Sequence, residues 1–339
     1  MTATNGLAPE LALDMGTGTT RLALPDAQLL IEQPSVLESA DEPEAPRRAQ
    51  RLVEHPIKRG VVMDVEAAAR MLAPQILAAR GPAPMKPRVL ACHPSDASLG
   101  ERDRLVAAIL LAGAGAVQLT SEPVAAVVGS TEPQADAARA RMIVDLGEGV
   151  TDIAVVVEGH LLASAALRLG LADIRHHIER EVRAEQGVAL RPRELAALIT
   201  QQASASGWLP VERAPGRSRH GRPQGRRALQ RLVLVNSAVV ARATEGVLEA
   251  IGRNASNVLR ALAWKEIAAI AHDGILLTGG GALVPALSRG IAEQLGVGVR
   301  VATDPLHAVI RGACELLQHC RPDEWLTTAL ALEPAPTAI

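Results

Sequence analysis

The chain has 339 residues, a hydrophobic content of 48%, a charged content of 21% and a formal net charge of −2 at pH 7. These values are typical of a globular protein with a large core, arranged as two domains or one large composite domain. The near-neutral charge excludes a general attraction to nucleic acid or to an acidic lipid surface. The three cysteines, Cys92, Cys314 and Cys320, form no CxxC pair, and their odd number predicts buried thiols rather than a disulfide framework or a zinc site.

No apolar run approaches the roughly 20 residues that a membrane-spanning helix needs. The polar start, MTATNGLAPE, lacks the basic flank and the apolar segment of a signal peptide. We therefore expect a cytoplasmic protein. Direct membrane insertion is not expected, because neither this start nor the GPAPMKPR segment offers the apolar area that interfacial anchoring requires.

Predicted strands and helices alternate along the chain, which indicates an α/β protein with a mixed sheet. Apolar runs bounded by Gly, Pro or polar residues predict strands at Leu11–Met15, Arg21–Leu24, Val89–His93, Met142–Asp145, Asp152–Val157 and Ile275–Thr278. Helical periodicity predicts helices at Asp64–Ala79, Leu99–Ala114, Ala172–Gln186, Arg191–Ala203, Ser237–Leu262 and Ala282–Leu295. Two Pro-rich stretches, Asp41–Arg51 and Gly81–Pro87, are predicted surface connections.

Arginine is concentrated in one segment, Arg213–Arg231, which holds seven arginines among Gly, Pro and Ser. A basic run of this kind can be a nucleic-acid patch, but no aromatic residue interleaves it. We interpret it instead as a solvated loop or a hairpin tip. No nucleic-acid partner is expected.

Two segments repeat one strand-turn-strand pattern. LALDMGTGTTRLAL and MIVDLGEGVTDIAVV each read apolar strand, Asp-x-Gly-x-Gly-x-Thr, and a second apolar strand. Glycine in such a turn lets backbone N–H groups approach an anion without a Cβ in the way, which suits phosphate oxygens. Asp14 and Asp145 end the two leading strands, where their carboxylates could hold a hydrated Mg²⁺ between them. The repeat predicts two similar lobes that face each other.

A third glycine run, in ILLTGGGALVPAL, follows the predicted strand Ile275–Thr278. Gly279–Gly281 would let a base and a ribose lie against backbone, while the next helix turns its N-terminus toward phosphate. An isolated turn of the Asp-x-Gly-x-Gly type is most often an ordinary glycine-rich hairpin. Two copies together with this third segment favour a nucleotide site. The chain contains no GxxxxGK(S/T), so a P-loop enzyme is not expected.

These three segments resemble the phosphate-1, phosphate-2 and adenosine motifs of the actin-like ATPases. The nearer resemblance is to the bacterial MreB family, through EQPSVL, HPIKRGVVMDVEAAARML, KPRVLACHPS, AGAGAVQLTSEPVAAVVGS and GVRVATDPLHAVIRGA, which occur in the order of that family. The resemblance implies the actin-like ATPase fold, in which two lobes each contain an RNase H-like five-stranded mixed sheet with helices and a nucleotide cleft lies between them. It also implies ATP and Mg²⁺ as ligands.

The resemblance sets the expected domains. Lobe I would comprise residues 1–131 plus 313–339, with a shortened small subdomain at about 33–73. Lobe II would comprise residues 132–312, with a small subdomain at about 171–249.

The family motifs also imply site residues. Glu122, in SEPVAA, would orient the attacking water, and Thr151 belongs with it to the expected catalytic set. Asp14 and Asp145 would hold Mg²⁺ through water. Glu148 stands where the family typically has Gly, and its carboxylate is expected to reach a metal-bound water. The residues expected to bind the nucleotide are Asp14, Gly16, Thr17, Gly18, Thr19, Asp145, Gly147, Glu148, Gly149, Glu194, Gly279, Gly280 and Gly281.

The implied function is that of a cytoskeletal ATPase whose filaments support cell shape, cell-wall synthesis or sporulation. Its partners would be other copies of the chain and proteins of cell-wall synthesis or of the membrane, so peripheral membrane association through partners is compatible with this function. The alternative is a diverged regulator or scaffold that binds nucleotide without polymerising, because the shortened subdomain is the one that contacts the next protomer in the family. A chaperone or a sugar kinase on the same fold is less favoured, since no catalytic Lys follows the first hairpin and no substrate-base Asp is visible.

Overall fold

The computed structural model describes residues 8–26, 28–38, 53–130, 139–201, 207–213, 231–320 and 326–327. The strands, in chain order, are β1 (Glu10–Met15), β2 (Thr19–Ala23), β3 (Leu29–Pro34), β4 (Leu37–Glu38), β5 (Val53–Glu54), β6 (Ile57–Lys58), β7 (Val61–Val62), β8 (Arg88–His93), β9 (Ala116–Ser121), β10 (Arg141–Leu146), β11 (Thr151–Val157), β12 (His160–Leu167), β13 (Trp208–Arg213), β14 (Arg231–Asn236), β15 (Ile275–Thr278), β16 (Val299–Val301) and β17 (Leu326–Thr327). The helices are α1 (Val65–Arg80), α2 (Leu99–Leu111), α3 (Glu122–Ser130), α4 (Leu171–Gln186), α5 (Pro192–Thr200), α6 (Ser237–Arg260), α7 (Trp264–Asp273), α8 (Pro285–Leu295) and α9 (Ala308–Leu317), and a short 3₁₀ helix spans Gly280–Leu283.

Two mixed sheets are built on the same plan. The strand order is β17-β9-β8-β1-β2-β3 in the first sheet and β12-β11-β10-β15-β16 in the second. In each sheet, the leading strand of a glycine-turn hairpin pairs antiparallel with its hairpin partner on one side and parallel with a later strand on the other. The predicted two-lobed α/β fold is confirmed. The first sheet carries a sixth strand beyond the expected five, the two-residue edge strand β17.

Helices α3 and α9 lie between the two sheets. Their buried side chains pack with buried residues of β1, β2 and β8 on one side and of β10, β11 and β15 on the other. The helices cross at two glycines, where a Cβ on Gly129 would lie 2.1 Å from the carbonyl oxygen of Ala308 and a Cβ on Gly312 would lie 1.8 Å from that of Ala125. No side chain fits at this crossing, so both positions require glycine. A separate apolar core covers the outer face of each sheet.

Several elements differ from the sequence prediction for local reasons. The predicted helix Ala282–Leu295 is divided between the 3₁₀ helix and α8, because Pro285 has no N–H to donate and starts α8 instead. The predicted helix Leu99–Ala114 ends at Leu111, ahead of Gly113 with its φ of 111°. Helix α3 is not predicted, since its sequence EPVAAVVGS is buried on most sides and shows no amphipathic period. Strands β3 to β7, β9, β12 to β14, β16 and β17 and helices α7 and α9 are also absent from the prediction.

The predicted loops fall partly outside the described residues. Asp41–Arg51 lies wholly outside them, as does the end of the predicted helix Arg191–Ala203 beyond residue 201. Residues 214–230 of the arginine-rich segment are likewise not described. Arg213 and Arg231, which bound that segment, are the last opposed pair of the antiparallel β13–β14 hairpin.

The segments considered for membrane contact are also divided. Residues 1–7 lie outside the described residues, whereas Gly81–Pro87 is a loop between α1 and β8. None of the helices in the described part of the chain combines the length and the apolar composition needed to cross a bilayer.

Candidate functional site

One cavity brings together most of the predicted site residues. Its lining includes Asp14, Gly16, Thr17, Gly18, Thr19, Glu122, Asp145, Gly147, Glu148, Gly149, Gly279 and Gly280. Thr151, Glu194 and Gly281 do not line it. Seven lining residues are missing from the prediction, namely Arg21, Gly60, Val150, Leu171, Pro305, Leu306 and Val309.

The first glycine turn connects β1 to β2 and is fixed by backbone and hydroxyl contacts. Gly16 N–H donates to the Thr19 carbonyl at 3.1 Å, and Ser35 N–H donates to the Gly18 carbonyl at 3.1 Å. The Ser35 hydroxyl donates to the Gly16 carbonyl at 2.6 Å and lies 2.8 Å from the buried Thr20 hydroxyl. Ser35, which belongs to the EQPSVL segment, therefore supports the turn from behind, and the sequence prediction does not assign it this role.

The second glycine turn connects β10 to β11 and packs on the start of α4. Gly147 N–H donates to the Val150 carbonyl at 2.9 Å, and the Gly147 carbonyl accepts the Leu171 N–H at 3.1 Å. A Cβ on Gly170 would lie 2.5 Å from the Gly147 carbonyl oxygen, so α4 can approach this closely only through glycine. The Thr151 hydroxyl donates to the Leu169 carbonyl at 2.9 Å. Thr151 thus holds the turn against the segment before α4 and does not face the cavity.

The third glycine run lies against the second turn. Gly279 has a φ of 75°, and a Cβ there would lie 2.7 Å from Asp145 Oδ1. The Thr278 hydroxyl donates to the same Asp145 oxygen at 2.8 Å, because β10 and β15 place these two residues side by side. Gly281 packs instead against Leu146, whose side chain occupies the space where a Cβ would project. Asp145 is therefore held in the cavity lining by Thr278, which is 133 positions away in sequence, and by the adjacent Gly279.

The two aspartates at the strand ends are buried carboxylates. Burial raises the pKa of Asp145 from its ordinary value of 3.8 to about 7, against the lowering effect of the Thr278 hydrogen bond. Burial also raises the pKa of Asp14, while the Arg21 guanidinium, 3.3 Å from Asp14 Oδ2, acts in the opposite direction. Burial thus disfavours the charged form of both carboxyl groups, and a cation bound near them would favour it.

Glu122 enters the cavity from the first residue of α3, directly after β9. Burial raises its pKa well above the ordinary value, and the charges of Asp152, Asp14 and Asp145 raise it further. The cavity lining contains four carboxylates, those of Asp14, Glu122, Asp145 and Glu148, and among the described lining residues Arg21 is the sole cation. This excess of negative charge favours a bound cation.

The donor set fits a hydrated magnesium ion. In the described part of the chain, no three His, Cys, Asp or Glu side chains are grouped so that they could hold a metal ion by themselves. Mg²⁺ does not need such a group, because it prefers oxygen ligands, retains several waters and takes one or two carboxylates together with phosphate. Asp14 and Asp145, which line the same cavity, supply that number of carboxylates.

Glu148 is an acidic side chain inside a site suited to phosphate. Its carboxylate is ion-paired with Arg175 of α4. It also packs against the first turn, since a Cβ on Gly18 would lie 3.0 Å from both Cβ and Cγ of Glu148. Arg175 compensates the charge of Glu148, and this explains how an acid is accommodated between the two glycine turns.

Glu194 lies away from the cavity, near the start of α5. It is buried, and its Oε2 accepts the Arg191 N–H at 2.7 Å in the manner of a capping residue. The cavity lining includes Leu171 and Gly280 but not Glu194.

A two-lobed α/β protein with an Asp-Gly turn from each lobe on one cavity has the architecture of an actin-like nucleotide-binding protein. Solved structures with this fold include MreB5 of Spiroplasma citri bound to ADP, with a TM-score of 0.74 and 19% identity over 91% of this chain and 95% of that chain. The same protein bound to AMPPNP has a TM-score of 0.75, with equal identity and coverage.

The family model for MreB/Mbl protein matches residues 8–324, and the chain therefore belongs to the MreB/Mbl family. Its relatives include the cell shape-determining protein MreB of Escherichia coli (strain K12), which is 28% identical over an alignment covering 91% of this chain and 93% of that protein. The cell shape-determining protein Mbl of Bacillus subtilis (strain 168) is 28% identical, with coverage of 92% and 96%. The predicted family resemblance is confirmed.

Proposed function

We propose that this member of the MreB/Mbl family binds Mg-ATP between its lobes, hydrolyses it slowly and assembles into filaments with other copies of the chain. The filaments would support cell shape, cell-wall synthesis or sporulation in the cytoplasm and would reach the membrane through other proteins. The observation that carries the nucleotide part is that the glycine turns of both sheets line one cavity. Membership in a family of cell shape-determining proteins supports the filament part.

Nucleotide binding would be divided among the three glycine segments. The turns Gly16–Thr19 and Gly147–Gly149 would direct backbone N–H groups toward the phosphates, with the Thr17 and Thr19 side chains beside them. Gly279 and Gly280 would lie against the nucleoside. Gly281 would contribute indirectly, because its lack of a side chain leaves the space that the Leu146 side chain occupies. Contact of Glu194 with the nucleotide stays a prediction, as do the lobe boundaries at residues 131/132 and 312/313.

Asp14 and Asp145 would hold Mg²⁺ through water. Bound there, the ion would reduce the negative charge that develops on the phosphates. Glu122 would orient the attacking water, because its carboxylate enters the cavity from the rigid start of α3. Thr151 would act through the position of the second turn, since its hydroxyl donates to the Leu169 carbonyl.

Phosphate release and sedimentation of the purified protein, with and without Mg-ATP, test this proposal. We expect turnover and a pellet that grows with protein concentration in Mg-ATP. Glu122→Ala should lower turnover about 100-fold, the scale of general acid–base effects, and should change nucleotide affinity less than threefold. The matched control is Glu293→Ala on α8, an exposed glutamate outside the cavity.

The outcomes separate the parts of the proposal. Equal turnover by the wild-type protein and Glu122→Ala would remove Glu122 from the mechanism. Nucleotide binding by a protein that stays monomeric at every concentration would support the regulator or scaffold instead of the filament. Absence of nucleotide binding would reject the whole proposal.

A further inference from the structure

Arg21 occupies a special place in the cavity, because it is the sole cation among the described residues that line it. Glu148 is paired with Arg175, but the carboxylates of Asp14, Glu122 and Asp145 have no other cation in the described part of the lining to offset them. Backbone N–H groups supply only partial positive charges toward a phosphate chain. A nucleotide with two or three phosphates therefore needs the guanidinium as well as any bound metal ion.

The register of the first sheet sets where Arg21 points. Arg21 on β2 is directly opposite Asp14 on β1 and directly opposite Glu32 on β3. Residues that face each other in neighbouring strands project from the same face of the sheet, so the three side chains form one row. The row runs from Asp14, which lines the cavity, to the edge strand β3.

The contacts within this row are unequal. Arg21 donates from Nε to Glu32 Oε1 at 3.0 Å, and its Nη2 lies 2.9 Å from the same oxygen. On the other side, Nη1 is 3.3 Å from Asp14 Oδ2, which is long for a charge-assisted hydrogen bond. Glu32 thus fixes the far side of the guanidinium and leaves Nη1 toward the cavity. The Glu32 carboxylate is itself 3.4 Å from His307 Nε2, beside α9.

We propose that Arg21 binds the terminal phosphates of the nucleotide and that Glu32 is the positioning residue that holds it there. This inference rests on the proposed nucleotide function and extends it to a named determinant of phosphate number. Guanidinium groups match phosphate oxygens in geometry and retain their charge. Only 12% of the Arg21 side chain is exposed to solvent, so the side chain is largely buried within the site.

The test measures the affinities of ADP, AMPPNP and AMP by calorimetry with the full chain. Arg21→Ala should weaken ADP and AMPPNP about 10- to 100-fold, the scale of a hydrogen bond to a charged group, and AMP less than threefold. Arg21→Lys should recover part of the loss. The control is Arg70→Ala on α1, an exposed arginine paired with Glu54, which should bind all three ligands as the wild-type protein does.

Glu32→Ala separates positioning from general stability. It should weaken ADP a few-fold in the wild-type background and leave ADP affinity unchanged in the Arg21→Ala background, because the two residues act as one unit. If Arg21→Ala does not fold, Arg21→Lys and Glu32→Ala decide the question by their ratio of AMP to ADP dissociation constants.

Two failures can be told apart. A wild-type protein that binds none of the three nucleotides would reject the proposed function. The other failure would overturn this inference alone. In that case the wild-type protein binds ADP, and the folded Arg21 and Glu32 variants keep its preference for ADP over AMP.

Discussion

Arg59 and Arg168 each donate from Nη1 to the backbone carbonyl of the other, which joins the turn between β6 and β7 to the segment between β12 and α4. Each guanidinium also reaches a carboxylate of the opposite lobe. Arg168 binds Asp96 with two hydrogen bonds, at 2.6 and 3.1 Å, and Arg59 Nη2 donates to Asp173 at 2.8 Å. These four residues, Arg59, Asp96, Arg168 and Asp173, form a clasp that joins the two lobes.

The clasp is continuous with both glycine turns. Gly60, next to Arg59, donates its N–H to the Thr17 hydroxyl at 2.7 Å. A Cβ on Gly149 would lie 2.9 Å from the Thr17 side chain and 3.2 Å from the Arg59 Cα. The turn that carries Arg59 therefore contacts the first and the second glycine turn together.

Arg168→Ala should loosen this contact between the lobes. It removes the paired hydrogen bonds to Asp96 and one of the two reciprocal carbonyl contacts. Because the Arg168 side chain is still 28% exposed, we expect a loss of only about 1 kcal/mol and a fall in Tm of about 2 °C. Gly60 follows Arg59 in the turn that Arg168 contacts, and its N–H donates to the Thr17 hydroxyl. Loss of Arg168 should therefore make amide hydrogen exchange at Gly60 faster.

Arg183→Ala provides the comparison for the clasp. Arg183 on α4 forms an exposed pair with Glu179, four residues away on the same helix, at 3.0 Å. Its removal should leave Tm and the exchange of Gly60 unchanged. Equal exchange rates in Arg168→Ala and Arg183→Ala would show that the arginine clasp does not restrain the lobes.

Asp145→Asn should stabilise the protein without ligand at pH 8. The folded state raises the pKa of Asp145 from 3.8 to about 7, so the folded state binds this proton more tightly than the unfolded state does. The contribution of this group to stability is therefore greatest below pH 4, falls as pH rises toward 7 and stays low above 7. Asparagine keeps an oxygen for the Thr278 hydrogen bond and carries no charge, so Tm should rise at pH 8, with a gain of roughly 2 to 4 kcal/mol, and change little at pH 4.

The same substitution should abolish the stabilisation by Mg-ADP. In the wild-type protein, Mg-ADP should raise Tm more at pH 8 than at pH 6, because Asp145 must lose its proton to face the metal. Asp103→Asn, on the exposed surface of α2, is the control and should respond to Mg-ADP as the wild-type protein does. A pH-independent difference in Tm between the wild-type protein and Asp145→Asn would contradict the assigned cause.

The sequence predicts those parts of the site whose residues lie close together in short segments of the chain. The Asp-x-Gly-x-Gly turns follow apolar strands, and this local pattern was enough to predict both turns and two similar lobes that face each other. The third glycine run was predicted in the same way, although Gly281 packs on Leu146 instead of lining the cavity.

The rest depends on how distant segments meet. Arg21 has no signal in its own neighbourhood, because its role follows from the register that places Glu32 opposite it on β3, a strand that the sequence pattern does not predict. The pairing of Arg59 with Asp173 spans 114 positions and depends on how the lobes pack. Glu194 illustrates the opposite case, since a residue expected to bind the nucleotide accepts the Arg191 N–H at the start of α5. Local composition carries no information on such choices.

Arg175→Ala should weaken nucleotide binding although Arg175 is outside the cavity lining. Without its partner, Glu148 would present an uncompensated negative charge between the phosphate turns. We expect a roughly 10-fold loss of ADP affinity, the scale of one partly screened charge–charge contact. Restoration to within about threefold by Glu148→Gln in the same chain would identify charge as the cause.

Arg180→Ala is the matched control for Arg175. It removes an arginine from the exposed side of the same helix, α4, and should leave ADP affinity unchanged. If Glu148→Gln failed to restore binding to Arg175→Ala, the loss would instead reflect altered packing of α4 against the second turn.

Gly312→Ala should be the most disruptive of these substitutions, because it acts at the crossing of α3 and α9. The added methyl would lie 1.8 Å from the Ala125 carbonyl oxygen and 2.7 Å from the Gly129 nitrogen, and both are backbone atoms in buried helices. Relief requires α9 to move away from α3, which costs about 3 kcal/mol or more and should lower Tm by about 6 °C or give insoluble protein. Since α3 begins at Glu122, a soluble variant should also lose ATP turnover more than ADP affinity.

Gly246→Ala in α6 is the control for Gly312→Ala. It adds the same methyl where no atom outside the backbone of its own helix lies within 4 Å, so it should raise Tm slightly through helix propensity. Equal Tm values for the two alanine variants would mean that α3 and α9 can separate at little cost, and the rigid placement of Glu122 would then lose its structural basis.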